Sequence, residues 1–464
     1  MTPAYPDATS LAASVHNQEV SAQAVIAAAL ARIAAHNQTL NCFTSVLSEQ
    51  AMQAAAAVDL AIAQGRDPGP LAGVPFAVKN LFDIEGVTTL AGAKINADNP
   101  PATQDATVVR RLRQAGAILV GALNMDEYAY GFVTENHHYG PTLNPHDLQR
   151  VAGGSSGGSA AAIAAGLVPL TLGSDTNGSI RVPASFCGIL GLKPTYGRLS
   201  RSGAYPFVAS LDHVGPFARS VRDLALAYDL LQGADPADPV CADRCIEPAL
   251  PQLAQGLQGL RIAIADGYFL EGATPEVLAG LDQVAQALHA TQRVTLPEAT
   301  RARAAAFLIT ASEGSNLHLE HLRQRPQDFD PATRDRFLAG ALLPATWYLQ
   351  AQRFRRWYRD QVQRLFQQVD IILAPTTPCV APLIGQKTLR LGEQEVPLRP
   401  NIGVYTQPLS FIGLPIVSVP VQQAGQLPVG VQVIAAPDQE ALALRVAAYL
   451  EAEGAISAPV VEPS

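Results

Sequence analysis

Residues 152–188 read AGGSSGGSAAAIAAGLVPLTLGSDTNGSIRVPASFCG, and this stretch limits the fold more than any other. Two glycine-serine clusters, Gly153–Ser159 and Gly173–Ser179, flank a run of small apolar residues. Glycine lets the backbone turn tightly and lie close against a ligand or another chain segment. A run of alanines between such turns suits a helix packed with no room for large side chains, followed by a buried strand. The longest apolar stretch, Ala160 to Leu172, is broken by Gly166, Pro169 and Thr171 and is too short to span a bilayer.

The same alternation of helix and short apolar strand runs through the first half. Ser21 caps an expected helix carrying Ile26, Leu30 and Ile33, and a second alanine-rich helix covers residues 51–63. Strands are expected at 74–78 and 117–121, with a helix from Asp105 to Gln114 between them. Residues 234–259 form an irregular proline-rich connection, and a strand resumes at 260–265. Residues 275–367 read as mostly helical, with a basic face from Arg353, Arg355, Arg356 and Arg359 beside Trp347. Strands return at 371–374, 416–420 and 429–435, and Asp438 is expected to cap a last helix. The pattern predicts one α/β domain over residues 1–464, with a mixed central sheet between helices and a helical insertion at about 266–367.

Composition narrows the function classes. The formal net charge is −8 with no long basic run, which argues against direct nucleic-acid binding. The cysteines are odd in number (Cys42, Cys187, Cys241, Cys245, Cys379) and make no CxxC pair. That usage fits a reducing, cytoplasmic setting and no structural metal. Met1 to Asn17 shows no basic flank followed by an apolar stretch, so no secretory signal and no membrane association are expected.

Three readings compete for the first cluster. A flexible linker does not lead straight into an apolar helix. A phosphate loop requires a Gly-Lys-Ser/Thr ending that is missing. Gly153, Ser155 and Gly157 also satisfy the nucleophile-elbow pattern, which needs a histidine base such as His213, His289, His318 or His321.

The whole stretch resembles the amidase signature family, whose members hydrolyse amides with a Ser-Ser-Lys triad. The likeness extends to Leu71–Asn80, Asn124–Gly131 and Gly413–Pro420, and covers roughly residues 10–450. It implies Ser179 as nucleophile, Ser155 as a bridging serine after a cis peptide bond from Gly154, and Lys79 as base. The backbone amides of Thr176, Asn177, Gly178 and Ser179 become the expected oxyanion donors. Asp175 and Arg181 flank the nucleophile and are expected to hold its loop by hydrogen bonds. No cofactor is implied. Ser156, Ser159 and Cys187 are assigned to structure and packing.

Two departures bear on the substrate. The usual Gly-Gly before the nucleophile is Asn177-Gly178, and asparagine tolerates left-handed geometry there. Glutamine-handling members carry an arginine for the α-carboxylate and an aspartate for the α-ammonium. Arg336 matches the arginine, but the aspartate position falls near Gly403, where no acid is present. An arginine fork without an ammonium partner suits an anionic substrate lacking an α-amine. Tyr130, Gly131 and His138, of the unusual His137-His138 pair, are further candidate substrate contacts. Within the family, residues 79–92, 175–179 and 351–356 are similar to members that release ammonia from ureido carboxylates. That likeness implies a small accessory subunit in a heterotetramer. The amidase subunit of a tRNA-dependent amidotransferase and an inactive scaffold of the same fold stay open as alternatives.

Overall fold

A computed structural model of the chain describes residues 6–422 and 425–463. The residues Met1 to Tyr5, where the secretory-signal reading begins, lie outside the described residues.

Eleven strands make one mixed sheet: β1 (Phe43–Val46), β2 (Pro75–Lys79), β3 (Ile118–Leu123), β4 (Leu170–Asp175), β5 (Leu190–Lys193), β6 (His213–Ala218), β7 (Ile262–Ala265), β8 (Gln292–Val294), β9 (Ile371–Pro375), β10 (Ile416–Val421) and β11 (Val429–Ala435). Their spatial order is β1-β3-β2-β4-β6-β5-β10-β11-β9-β7-β8. The pairs β2/β3, β2/β4, β7/β8 and β7/β9 are parallel, and the other six are antiparallel. Strands β2 and β4 are buried along their whole length, as expected of parallel strands covered on both faces. Being parallel neighbours, they bring their carboxyl ends, Lys79 and Asp175, to the same edge of the sheet. Ligands in α/β sheets gather at such ends.

The alanine run forms helix α1 (Gly157–Ala164), every residue of which is buried. Its small side chains are required: a Cβ on Gly158 would come within 2.6 Å of the Asn124 and Cys42 carbonyl oxygens. Helix α2 (Arg181–Cys187) follows the second cluster and is equally buried. Between β8 and β9 the chain forms three helices, α3 (Ala299–Gln324), α4 (Pro331–Ala341) and α5 (Ala345–Leu365).

Three local expectations are corrected. Asp438 does not cap the last helix, α6 (Glu440–Ala452): it stands at φ 64°, bonds Arg244 Nη1 at 2.7 Å, and leaves Gln439 at the cap position. Strand β8 interrupts the stretch 275–367 expected to be mostly helical, and the expected strands do not include the hairpin 388–397. Arg355 does not join the solvated basic face, because it donates inward to the carbonyls of Phe411 (2.6 Å) and Ser210 (2.7 Å). No helix among the described residues is long and apolar enough to cross a membrane.

His318 on α3 is 1% exposed and packed among Tyr128, Phe337, Phe329 and Tyr205, with ring centroids 4.0 to 6.2 Å away. Neither ring nitrogen has a hydrogen-bond partner among the described residues. Burial pulls its pKa down to about 3, helped by repulsion from His321. The folded state therefore keeps this imidazole neutral, while the unfolded chain protonates it near pH 6.5. The unfolded state binds the extra proton, so stability falls as pH drops from about 6.5 toward 3, by about 2 kcal/mol between pH 6.5 and 5. Urea unfolding of His318→Leu should show a shallower pH dependence over that interval than the parent chain. Parallel curves would place the acid sensitivity elsewhere.

Candidate active site

Lys79 ends β2 with its ammonium in the protein interior. Its Nζ lies 2.7 Å from Ser155 Oγ and 2.9 Å from Ser174 Oγ, and all three residues are buried. Burial pulls the Lys79 pKa down to about 7, against the opposing pull of Asp126, Asp175 and Asp212. Desolvation thus makes the neutral amine accessible near neutral pH, the state in which a lysine can accept a proton. The Gly154–Ser155 peptide bond is cis, as the family likeness implies.

Asp126 is wedged against this loop. A Cβ on Gly154 or Gly131 would fall 2.1 Å from Asp126 Oδ2 or 2.3 Å from Asp126 Cγ, so both positions need glycine. Its Oδ2 accepts from the Val133 amide at 3.2 Å, and burial raises its pKa.

The second cluster is held by Asp175 at the end of β4. Its carboxylate accepts from the Gly178 amide at 2.7 Å and the Ile180 amide at 3.2 Å, and pairs with Arg181 through Nε (2.9 Å) and Nη2 (3.0 Å). Both side chains are fully buried. Burial alone would raise the Asp175 pKa, but the Arg181 guanidinium holds it below the usual carboxylate range. Arg181 also donates to Gln432 Oε1 at 2.7 Å, to the Thr406 carbonyl at 3.3 Å and to Ser410 Oγ. A buried pair so fully hydrogen-bonded fixes the nucleophile loop; losing one partner of such a pair typically costs about 3–5 kcal/mol.

Because the Gly178 amide is already donated to Asp175, it is not free for an oxyanion. Among the described residues no acceptor engages the amides of Thr176, Asn177 and Ser179. Thr176 Oγ1 donates to Asp212 Oδ1 at 2.6 Å, which pins the loop from the other side. The expected left-handed asparagine is corrected: Gly178 (φ 138°), not Asn177, takes the positive φ. A Cβ there would lie 2.3 Å from Thr406 Oγ1. The Asn177 side chain instead donates to Thr310 Oγ1 on α3 at 2.9 Å.

Ser179 opens into a narrow cleft, which it shares with Tyr130, Gly131, Phe132, Thr310 and Arg336. Arg336, on α4, donates from Nη1 to the Tyr130 carbonyl at 2.8 Å and stacks on the Tyr130 ring with Cζ 3.5 Å from its centroid. His138 is not among the cleft-lining residues; its Nε2 lies 3.1 Å from Glu127 Oε1. The expected histidine bases are also elsewhere. His213 Nδ1 faces the carbonyls of Asp175 (3.0 Å) and Leu211 (2.6 Å), and burial drops its pKa well below normal. Arg325, on the loop before α4, is paired with Asp98 and Asp328.

Sequence reasoning missed Ser174, Asp126, Thr310, Phe132 and Gln407. Ser174 and Asp126 lie inside the matched blocks, where the Gly-Ser-Asp and Met-Asp-Glu runs were the available signals. Phe132 packs against Gly403: a Cβ there would come within 2.5 Å of its ring, so no larger side chain fits at that position as the ring now stands.

Residues 24–444 match the amidase family. AtzE, a 1-carboxybiuret hydrolase component of Pseudomonas sp. (strain ADP), is 57% identical over 436 residues, covering 94% of this chain and 95% of that protein. A glutamyl-tRNA(Gln) amidotransferase component of Moorella thermoacetica is 38% identical over 475 residues, covering 96% of each. A solved structure described as a "vestigial protein complex" that "reveals the evolutionary origins of an s-triazine catabolic enzyme" superposes with a TM-score of 0.96 at 55% identity, covering 97% of this chain and 99% of that one.

Proposed function

This chain belongs to the amidase family, and from that premise we propose that it releases ammonia from a small ureido carboxylate, 1-carboxybiuret first among the candidates. The observation that carries the reading is the shared cleft. Ser179 and a guanidinium, Arg336, line it together, and Phe132 fills the place of an acid that an α-ammonium would need. An α-amino acid such as glutamine would leave its ammonium unpaired in that cleft, which disfavours it.

In the proposed mechanism neutral Lys79 takes the Ser155 proton while Ser155 takes the Ser179 proton. Ser179 Oγ attacks the terminal amide carbonyl. The amides of Thr176, Asn177 and Ser179 stabilise the oxyanion. The relay returns its proton to the leaving nitrogen, so the C–N bond breaks with release of ammonia and leaves a carbamoyl ester on Ser179. Water, deprotonated by the same relay, hydrolyses the ester. With 1-carboxybiuret the products are 1,3-dicarboxyurea and ammonium. The helices of the insertion cover the substrate: Phe307, Thr310 and Arg336 reach the cleft from α3 and α4.

We further propose a cytoplasmic complex with a small accessory subunit, forming a heterotetramer. The structural relative described as a protein complex supports the presence of a partner subunit. Ammonia release should be measured on 1-carboxybiuret, biuret and glutamine, with the chain alone and co-expressed with a small neighbour. Preference for the carboxylated biuret supports the reading. Preference for glutamine would replace it with the amidotransferase reading, and full activity of a lone homodimer would remove the partner.

A further inference from the structure

We propose that Glu127, through the N-cap residue Asp330, positions Arg336 for the substrate's carboxylate, so that Glu127 is a specificity-determining residue although it does not line the cleft. The inference rests on the proposed role of Arg336.

Two segments meet here. The loop after β3 carries Glu127 and, three and four residues on, the cleft residues Tyr130 and Gly131. Helix α4 carries Arg336, and Asp330 caps its start, accepting from the Ala332 amide at 2.9 Å through Oδ1. The cap residue is gripped from both sides. Its own N–H donates to Glu127 Oε2 at 2.9 Å, and its Oδ2 accepts from the His137 amide at 3.1 Å. The other oxygen of Glu127 is held by His138 Nε2 at 3.1 Å. The unusual histidine pair thus finds its use: one backbone and one ring tie the cap to the loop. Glu127 is 1% exposed, so each of its oxygens is committed to this junction.

The geometry makes the grip consequential. Arg336 lies six residues beyond the cap, about 9 Å along the helix at 1.5 Å per residue. On that lever a tilt of about 6° at the cap carries the guanidinium by roughly 1 Å, enough to cost up to about 100-fold in a positioned reaction. Arg336 donates to the Tyr130 carbonyl, which belongs to the loop that Glu127 anchors. Cap, loop and guanidinium therefore move together or not at all. Glu127 also places a carboxylate at the helix N-terminus, where it is favoured by the dipole. Packing of Phe337 against Tyr128 and Tyr130 supports the same junction, so the helix should persist without the carboxylate.

The test compares Glu127→Ala, Glu127→Gln, Arg336→Gln and the Glu127→Ala/Arg336→Gln double variant on 1-carboxybiuret and biuret, with melting curves for each. Glu127→Ala should raise KM for 1-carboxybiuret by about 10- to 100-fold, at least tenfold more than for biuret. Glu127→Gln, whose amide can still accept from Asp330 and donate to His138, should recover most of the loss. The double variant should be no worse on 1-carboxybiuret than Arg336→Gln alone, because Glu127 acts only through Arg336. Equal losses on both substrates, or additive losses in the double variant, would overturn the proposal and leave Glu127 a purely structural residue. If Arg336→Gln itself loses activity equally on both substrates, the reading of Arg336 falls and takes the proposal with it. If Arg336→Gln is selective and Glu127→Ala is not, only the present inference fails.

Discussion

Ser179→Ala is expected to abolish amide hydrolysis while the melting temperature stays within a few degrees of the parent chain. Only a hydroxyl is removed, and the loop around it is held by Asp175 and Arg181 rather than by Ser179. Ser155→Ala and Lys79→Met should each lower turnover by several orders of magnitude. Lys79 Nζ has Ser155 and Ser174 as its hydroxyl partners at 2.7 and 2.9 Å, and no histidine among the described residues lines the Ser179 cleft to stand in as a base. Loss of one member of such a unit removes nearly the whole advantage, so double variants should be little worse than singles. Single-turnover ammonia release gives the answer. A dead His213→Ala beside an active Lys79→Met would hand the mechanism to the histidine reading. The same chemistry sets the pH profile. Burial holds the Lys79 pKa at about 7, and the base must be neutral. Turnover should therefore rise through a limb near pH 7 and flatten above it. A rate independent of pH between 6 and 8 would mean that Lys79 does not titrate in the rate-limiting step.

How much of this was legible beforehand depends on the range of each interaction. The glycine-serine clusters announce themselves because tight turns and close approach restrict which residues can stand there. The two parallel strands that align Lys79 with the second cluster were legible as short, mostly apolar runs that end in polar residues. The asparagine at position 177 misled because its tolerance of left-handed geometry suggested a backbone role, whereas the structure uses its amide as a tether to Thr310, 133 residues away. Asp438 misled in the same way, as a good capping residue spent on Arg244 instead. Phe132 beside Gly403 could not be read at all. Their meeting depends on how residues far apart in the chain fold against one another, and no local period records it.

Arg336→Gln should cost about 30- to 1000-fold in kcat/KM on 1-carboxybiuret, or roughly 2–4 kcal/mol, the scale of a charge-assisted bidentate contact. The structure explains why the fork is ready. Stacking on Tyr130 and the bond from Nη1 to the Tyr130 carbonyl fix the guanidinium plane before substrate arrives, so little side-chain freedom is lost on binding. Biuret, which lacks the carboxylate, should lose far less. Arg336→Lys should recover only part of the activity, because an ammonium is a point charge and cannot reproduce the planar fork. Steady-state kinetics of the three proteins on both substrates decide the matter. Equal losses would mean that Arg336 serves to hold the Tyr130 wall. The carboxylate would then need another cation; His138 is engaged with Glu127, and neither Arg323 nor Arg325 lines the cleft. Arg303 would become the stronger candidate. It donates from Nε to Gln407 Oε1 at 3.0 Å and from Nη2 to Asn401 Oδ1 at 2.6 Å and the Pro400 carbonyl at 2.9 Å; because Gln407 lines the same cleft as Ser179, this guanidinium stands one residue behind the wall.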